Sequence, residues 1–492
     1  MMSSEITITY LNIILYALSY QLQRPIEPFL VRSLIHKHSN NSHSDNEEST
    51  SNQTYGRLTS FFSLIQTIGS PLVGMLLDRI GPRRTSILVY TASAGSYWLL
   101  AQATSPMGLY ASKVPTLFQH AFLVGQATVS CSFEDDDDDE DVSSARRAAA
   151  LGRMTTAYTI GATIGPALGG YLASTDLYAG ARLAVGGSLL SVLLSMIYLK
   201  DHRGRNLRDT RNNAPCSKGD DSEQQEANQH DHSTFLQSVK HTLSFLHHPK
   251  LGPLLFMKLI NGISSSAFTT ILPLILTNQL QFSPSNLGYF MSISSMSVAV
   301  FAAVGISPAM SFFGNYPDRL AFWGMGCRVV SLLTFGVLVS QTLSVNHLPG
   351  EDSDVSSNAG GLVLVLTLAC VVISLASHVH ATSLTTLTTG SVPSHDRGTI
   401  LGLEHGIFSM ARIVGPPLGT ALLSRPSWFG SRGNVTIWGV VVMCVGMDFV
   451  VMMLLRVWSM RQYARMKGGV EVYNEELSKG LAKERNDHEH SD

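Results

Sequence analysis

The chain has 492 residues, of which 45% are hydrophobic and 14% are charged, whereas about a quarter of the residues of an average soluble protein are charged. Its charges are gathered between long apolar stretches, which is the pattern of a protein that crosses a membrane many times. The formal net charge of -2 predicts no bulk nucleic-acid partner, since such partners require a strongly basic surface.

Twelve stretches are apolar enough to span a bilayer, whose core requires about 20 mostly apolar residues per helix. The first carries no basic region or cleavage site of a signal peptide, so we expect it to remain as a span. We therefore predict an all-α polytopic membrane protein with twelve transmembrane helices. The stretches lie near residues 6–34, 55–77, 85–104, 108–132, 148–174, 180–199, 251–278, 286–307, 320–341, 361–390, 399–424 and 434–457.

A polar segment divides the predicted spans into two groups of six. Residues 200–250 are rich in Arg, Asn, Gln and His, which predicts a solvated, partly disordered linker in the cytoplasm. The predicted organisation is a bundle over residues 1–199, this linker, a second bundle over 251–460 and a cytoplasmic tail over 461–492.

The distribution of basic residues predicts that both termini are cytoplasmic. The loops opposite to the termini, near 104–108, 279–285 and 342–360, contain no Lys or Arg. Three glycosylation sequons begin in loops that this topology places outside, at Asn40, Asn52 and Asn434. The predicted location is the plasma membrane or an endomembrane.

Acidic residues and cysteines give no indication of a metal site. The eight consecutive acids at 134–141 are better explained as a solvated, self-repelling insertion than as a site for a metal or a basic partner. The five cysteines lie far apart without ligand spacing, which favours buried thiols.

An internal repeat links the fifth and eleventh predicted spans. "LGRMTTAYTIGATIGPALGGYLAS" begins at Leu151, and "LGLEHGIFSMARIVGPPLGTALLS" begins 250 residues later at Leu401. Small residues every four positions share one helix face, and proline bends a helix. The pattern is explained either by helix packing or by a bend about which two halves pivot. The residues concerned are Gly161, Gly165, Pro166, Gly169 and Gly170 in the first copy, and Gly415, Pro416 and Gly419 in the second.

Three motifs carry a resemblance to a known family. "GMLLDRIGPRR" resembles the signature of the major facilitator superfamily between the second and third spans, with matches at Gly74, Asp78, Arg79, Gly81 and either Arg83 or Arg84. "GATIGPALGG" is similar to the antiporter motif of that superfamily, and "LSYQLQRPIEP" to the first-span motif of its twelve-span drug:proton antiporters. The layout resembles the organic-cation-transporter-like and tetracycline-efflux-like carriers.

The resemblance implies two pseudo-symmetric six-helix bundles around a central cavity. It also implies that Asp78 pairs with a basic group at the cytoplasmic end of a neighbouring helix and holds the inner side shut. Lys113 replaces the arginine of the family's fourth-span motif, and the second-half copy of the signature has lost its acid.

Ionisable residues inside the predicted spans are candidates for a substrate or proton cavity, because such residues are costly in a bilayer. They also have a simpler explanation as structural ion pairs, in which Glu27 neutralises Arg24 three residues away. We hypothesise that Glu27 and Lys113 sense protons or contact substrate, while Lys258 and Arg412 shape the second half of the cavity. The candidates are Arg24, Glu27, Lys113, Lys258, Glu404, His405 and Arg412, with His378, His380 and Asp448 completing the set.

The predicted function is alternating-access transport of small organic solutes, in the form of proton-coupled efflux of organic cations or drugs. The expected partners are the lipid bilayer, the solute and protons, and we expect a functional monomer without a cofactor. Facilitated diffusion or uptake remains open, as does a non-transporting receptor or regulator that keeps the fold. We expect no enzyme, since the sequence has no P-loop, H-E-x-x-H motif or nucleophile elbow.

Overall fold

The computed structural model describes residues 4–38, 44–131, 140–200, 244–346, 355–392, 397–424 and 437–464, and within these ranges the regular structure is helical. The prediction of an all-α membrane protein is confirmed. The principal helices are α1 (Ser4–Leu22), α2 (Glu27–His38), α3 (Ser44–Ala101), α4 (Pro106–Lys113), α5 (Ala121–Cys131), α6 (Glu140–Ala173), α7 (Ala179–Tyr198), α8 (Leu251–Leu274), α9 (Pro284–Val304), α10 (Ile306–Phe312), α11 (Pro317–Asn346), α12 (Val355–Gly390), α13 (Arg397–Leu423) and α14 (Ile437–Ala464).

Eight helical stretches within the described ranges are long and apolar enough to cross a membrane. They coincide with the predicted second span and with the sixth to the twelfth. The other four predicted spans are also helical, but they are interrupted or more polar: the first is divided between α1 and α2, and the fourth between α4 and α5. The predicted linker and tail lie mostly outside the described residues.

The helix contacts follow the internal repeat. Within the first half α1 packs against α6, and within the second half α8 packs against α13. Between the halves α6 packs against α9, and α3 packs against α13. Each repeated helix therefore makes its most extensive contact within its own half and a second extensive contact with the other half, as expected for two related bundles.

The glycine stripe of α6 packs against α1 within the first half. A Cβ atom at Gly161 would lie 2.5 Å from the carbonyl oxygen of Ile14, and one at Gly169 would lie 2.2 Å from that of Leu22. Gly165 likewise faces Gln21, at 2.6 Å from its Cβ. The stripe is therefore explained by close helix packing, and no pivot is needed to account for it.

The second copy of the stripe has the same role. A Cβ atom at Gly415 would lie 2.8 Å from the carbonyl oxygen of Ile263, and one at Gly419 would lie 3.2 Å from that of Ala267. Both neighbours belong to α8, so these glycines let α13 approach α8 within the second half.

A different face of α6 contacts the other half. A Cβ atom at Gly170 would lie 2.3 Å from the carbonyl oxygen of Pro284, and one at Gly288 would lie 2.3 Å from that of Pro166. The backbone N–H of Ala167 donates a hydrogen bond of 2.8 Å to Ser292 Oγ. The backbones of α6 and α9 are thus in direct contact at Gly170 and Gly288, because neither glycine has a side chain.

The repeat places an equivalent junction between α3 and α13. A Cβ atom at Gly56 would lie 3.0 Å from the carbonyl oxygen of Pro416. Ser60 Oγ donates a hydrogen bond of 2.5 Å to the carbonyl of Ile413, which has no helical donor because Pro417 has no N–H. Proline therefore frees a carbonyl that the other half binds.

Both junctions lie at the same end of the molecule, here called the closed end, which comprises residues 44–60 of α3, 284–292 of α9, 166–173 of α6 and 413–423 of α13. Ser49 Oγ donates across it to the carbonyl of Ser424 at 3.4 Å. Towards the opposite end, called the open end, Gly152 of α6 and Gly402 of α13 have open space within 4 Å of a built Cβ atom. The closed end contains the loops that the sequence predicts to be external.

Candidate functional site

The turn "GMLLDRIGPRR" divides α3 at Gly81, whose φ of 81° and ψ of 167° suit a residue without Cβ. Arg83 Nη2 donates a hydrogen bond of 2.6 Å to the carbonyl of Met196 in the last turn of α7, where cations are favoured. Gly74 faces open space, so no close helix approach requires it here. Arg79 is exposed, and the Asp78 side chain lies outside the described part.

A central pocket is formed by helices of both halves. Its N-half wall includes the break between α1 and α2, where Pro25 and Pro28 cannot donate backbone hydrogen bonds. Arg412 on α13 contributes from the C-half. The pocket has a cavity volume of about 60 Å³ and is lined by Tyr20, Gln23, Arg24, Glu27, Tyr55, Leu58, Thr59, Phe62, Ser96, Tyr97, Leu100, Lys113, Thr116, Gln119 and Arg412.

Glu27 and Lys113 form an ion pair in this pocket. Their side chains are 21% and 12% exposed. The Lys113 ammonium also lies 5.6 Å from the centre of the Phe62 ring, within the range of a cation–π interaction. The structure thus brings together the two residues that we hypothesised to act jointly.

In this conformation Glu27 forms its close ion pair with Lys113 rather than with Arg24, although its charge still attracts the Arg24 guanidinium. The pairing with Arg24 assumed one continuous helix, but the helix is interrupted between residues 23 and 26, and Glu27 turns to Lys113. Within the described ranges no carboxylate lies within 4 Å of Arg24 or Arg412. The Arg412 guanidinium lies 6.0 Å from the centre of the Phe62 ring.

A second pocket lies wholly in the C-half. Lys258 on α8 forms an ion pair with Glu404 on α13, and its ammonium donates to Thr385 Oγ1 at 2.9 Å. Thr388 also donates to Glu404. His405 lines the same pocket, whose cavity volume is about 220 Å³. Arg412 lines the central pocket and not this one, so Lys258 and Arg412 belong to different pockets.

Sequence reasoning missed Arg328, which is 1% exposed and pairs with the fully buried Asp448 at 3.2 Å. Arg328 also donates to Asn261 Oδ1 at 2.7 Å and to Ser264 Oγ at 3.1 Å. Ser264 Oγ in turn donates to Asp448 at 2.9 Å. The signal was present in the sequence: Arg328 is a single charge in the middle of an apolar stretch.

The two histidines of α12 do not join the central pocket. His380 is fully buried, and its Nδ1 lies 3.0 Å from the carbonyl oxygen of Ala321. His378 is half-buried. His380 therefore contacts α11 within the C-half.

Of the three predicted glycosylation sites, the structure describes one, Asn52. Asn52 is 3% exposed within α3, and its Oδ1 accepts a hydrogen bond of 3.0 Å from Asn278. A glycan requires an accessible amide, so the structure contradicts glycosylation at Asn52. Asn40 and Asn434 lie outside the described residues.

Comparisons with known proteins agree with this architecture. The model of the Major Facilitator Superfamily matches residues 9–403 and 254–471. Solute carrier family 22 member 18 of Mus musculus is 25% identical over 376 residues, which cover 75% of this chain and 80% of that protein. Multidrug resistance protein 2 of Bacillus subtilis (strain 168) is 22% identical over 372 residues, covering 76% and 80% respectively. The crystal structure of the human organic anion transporter MFSD10 (TETRAN) covers 92% of this chain and 100% of its own, with 17% identity and a TM-score of 0.53.

Proposed function

Because this chain belongs to the major facilitator superfamily of membrane transporters, we propose that it moves a small organic solute by alternating access, driven by a proton gradient. The observation that carries the proposal is the central pocket, which takes Arg24 and Glu27 from one half and Arg412 from the other. A binding site between two halves becomes accessible from one side of the membrane and then from the other when the halves rock against each other.

We propose that this conformation faces the cytoplasm. The two backbone junctions close the end that the sequence predicts to be external. The opposite state requires both junctions to separate, and Asp78 keeps its proposed role of holding the cytoplasmic side shut in that state. The direction of net transport is part of the test.

The Glu27–Lys113 pair is the proposed proton-coupling site. Protonation of Glu27 would remove the charge that holds Lys113. Glu27 belongs to α2 and Lys113 to α4, so both lie in the N-half and face the pocket that the solute enters.

Glu27→Gln and Lys113→Ala are each expected to abolish gradient-driven transport while surface expression persists. Gln cannot gain or lose the proton, and Ala leaves the carboxylate without its counter-ion. Uptake into liposomes with and without an imposed pH gradient measures the effect. Arg182→Gln is a matched control, because Arg182 is exposed on α7 and pairs with Asp176 away from the pocket. Full gradient-driven activity in both variants would remove the pair from the mechanism.

The proposed function is tested by reconstituting the full chain in liposomes and screening labelled organic solutes under a pH gradient. Saturable movement of a solute together with protons supports it. If no solute moves and no proton flux appears, the receptor or regulator function replaces it. Equal movement without a gradient identifies a facilitative carrier instead.

A further inference from the structure

We infer that the central pocket binds an organic anion, with its acidic group between Arg24 and Arg412 and an aromatic body against the ring-lined wall. This inference rests on the proposed function, since it names the substrate class of the same site. It replaces the expectation of an organic cation. The lining offers one carboxylate, Glu27, and Lys113 already occupies it.

The charge balance of the pocket favours an anion. Its lining contains three cations, Arg24, Lys113 and Arg412, against the single acid Glu27. One cation is neutralised by the ion pair, which leaves the guanidinium groups of Arg24, which is exposed, and of Arg412, which is half-buried. A charge within a membrane span normally has a partner or faces water. A carboxylate, sulfonate or phosphate group supplies that partner, because the planar guanidinium can bind such groups through two parallel hydrogen bonds.

Gln23 provides an independent indication of a ligand. It is 5% exposed in the pocket wall, and neither its Oε1 nor its Nε2 has a hydrogen-bond partner among the described residues. Buried amides are almost always hydrogen-bonded. The Nε2 donor matches an anionic oxygen, and the Oε1 acceptor matches a hydroxyl or amide of the same solute.

The rest of the wall suits an aromatic body. The rings of Tyr20 and Phe62 stack with centroids 6.0 Å apart, and Tyr55 and Tyr97 line the same space. Tyr97 already accepts a hydrogen bond of 2.7 Å from Gln119, so its ring is held in place. Aromatic side chains give large contact areas and favour offset or edge contacts with a second ring. The cavity volume of about 60 Å³ in this conformation lies below the roughly 300–1,000 Å³ of typical ligand pockets, so binding a ring requires the lining side chains to move apart.

The two arginines belong to different halves of the molecule. Arg24 follows α1, whereas Arg412 lies on α13, whose last turns form part of the closed end. An anion bound between the two guanidinium groups offsets the repulsion between their like charges. This stabilisation exists only in a conformation in which both guanidinium groups face the anion. Anion binding thereby gains a different affinity in each conformation, which is the requirement for a solute that shifts the equilibrium.

Binding to the purified full chain in detergent tests the substrate class separately from transport. The probes share one ring system and differ in charge: naphthoate, naphthalenesulfonate, neutral naphthamide and naphthylmethylammonium. We expect the two anions to bind at least about tenfold more tightly than the amide and the cation, since charged hydrogen bonds are worth about 1.5–3 kcal/mol. Arg24→Gln and Arg412→Gln should each weaken anion binding by about tenfold or more and leave amide binding unchanged. Arg182→Gln, at the exposed pair on α7, should change neither.

The outcomes separate this inference from the proposed function. If the cation binds best, or if both arginine variants bind the anions as the unaltered chain does, the inference is overturned while transport of another solute can still be measured. Anion binding without any solute flux in liposomes supports the inference and contradicts the proposed transport. A variant that loses amide binding as well has a disturbed pocket, so Arg24→Lys and Arg412→Lys are measured beside it. If the lysine variants bind the anions within a few-fold of the unaltered chain, the result supports a role for the positive charge. If a folded lysine variant does not recover anion binding, the result contradicts that role.

Discussion

Replacing Arg328 by methionine is expected to lower the free energy of unfolding by about 3–5 kcal/mol, the cost of leaving one member of a buried ion pair without its partner. Arg328 is 1% exposed and binds Asp448, Asn261 and Ser264, which belong to α14 and α8. Its removal leaves the Asp448 carboxylate buried with a hydrogen bond from Ser264 and no counter-charge. Thermal and denaturant unfolding of the detergent-purified protein measure the loss.

A double-mutant cycle isolates the pair. Asp448→Asn alone should also destabilise, because it strands the guanidinium, whereas the double variant with Arg328→Met buries neither charge and should lose less than the sum of the single variants. Arg319→Met is the matched control, since Arg319 lies exposed on the same helix α11. Additive losses, or a loss for Arg319→Met equal to that for Arg328→Met, would contradict a coupled buried pair.

The sequence alone predicts the positions of the helices but not which charged residues pair. Hydropathy locates helices because each span must satisfy its own backbone in the bilayer, and Gly81 marks a turn because its backbone angles suit glycine. Pairing of charges is a different matter. The Arg24–Glu27 pair was inferred from helical spacing, but the break between α1 and α2 removes that spacing. The true partner of Glu27 is 86 residues away in sequence, at a position that only packing of the helices determines.

The same limit explains the glycines. A spacing of four places Gly161, Gly165 and Gly169 on one face, but sequence does not identify the helix that covers that face. The structure places α1 there, while Gly170, one position outside the spacing, meets the other half. The repeat between Pro166 and Pro416 is visible in the sequence, but the carbonyl of Ile413 is freed by Pro417, which has no counterpart in the first copy, and its donor Ser60 lies 353 residues away. Local patterns indicate which surfaces are bare, and the tertiary fold determines what they touch.

Gly170→Ala is expected to open the closed end and to stop the transport cycle. The new Cβ would lie 2.3 Å from the Pro284 carbonyl and 3.0 Å from the Gly288 Cα, and both are backbone atoms that cannot move aside like a side chain. Overpacking costs about 1–3 kcal/mol, which shifts a two-state equilibrium about 5- to 150-fold. Because the clash exists only while α6 and α9 touch, the cost falls on this conformation and favours the opposite one.

Cysteine labelling measures the shift. In a chain whose native cysteines at 131, 216, 327, 370 and 444 are replaced, Asn52→Cys reports on the closed end, because Asn52 is 3% exposed there. We expect Gly170→Ala to raise its labelling by an impermeant maleimide about fivefold or more. Gly186→Ala, with open space around its Cβ, should leave labelling unchanged. Gly169→Ala clashes with Leu22 inside the first half, so it should lower thermal stability without raising labelling. Equal labelling in the Gly170 and Gly186 variants would show that the α6–α9 junction does not hold the two halves together.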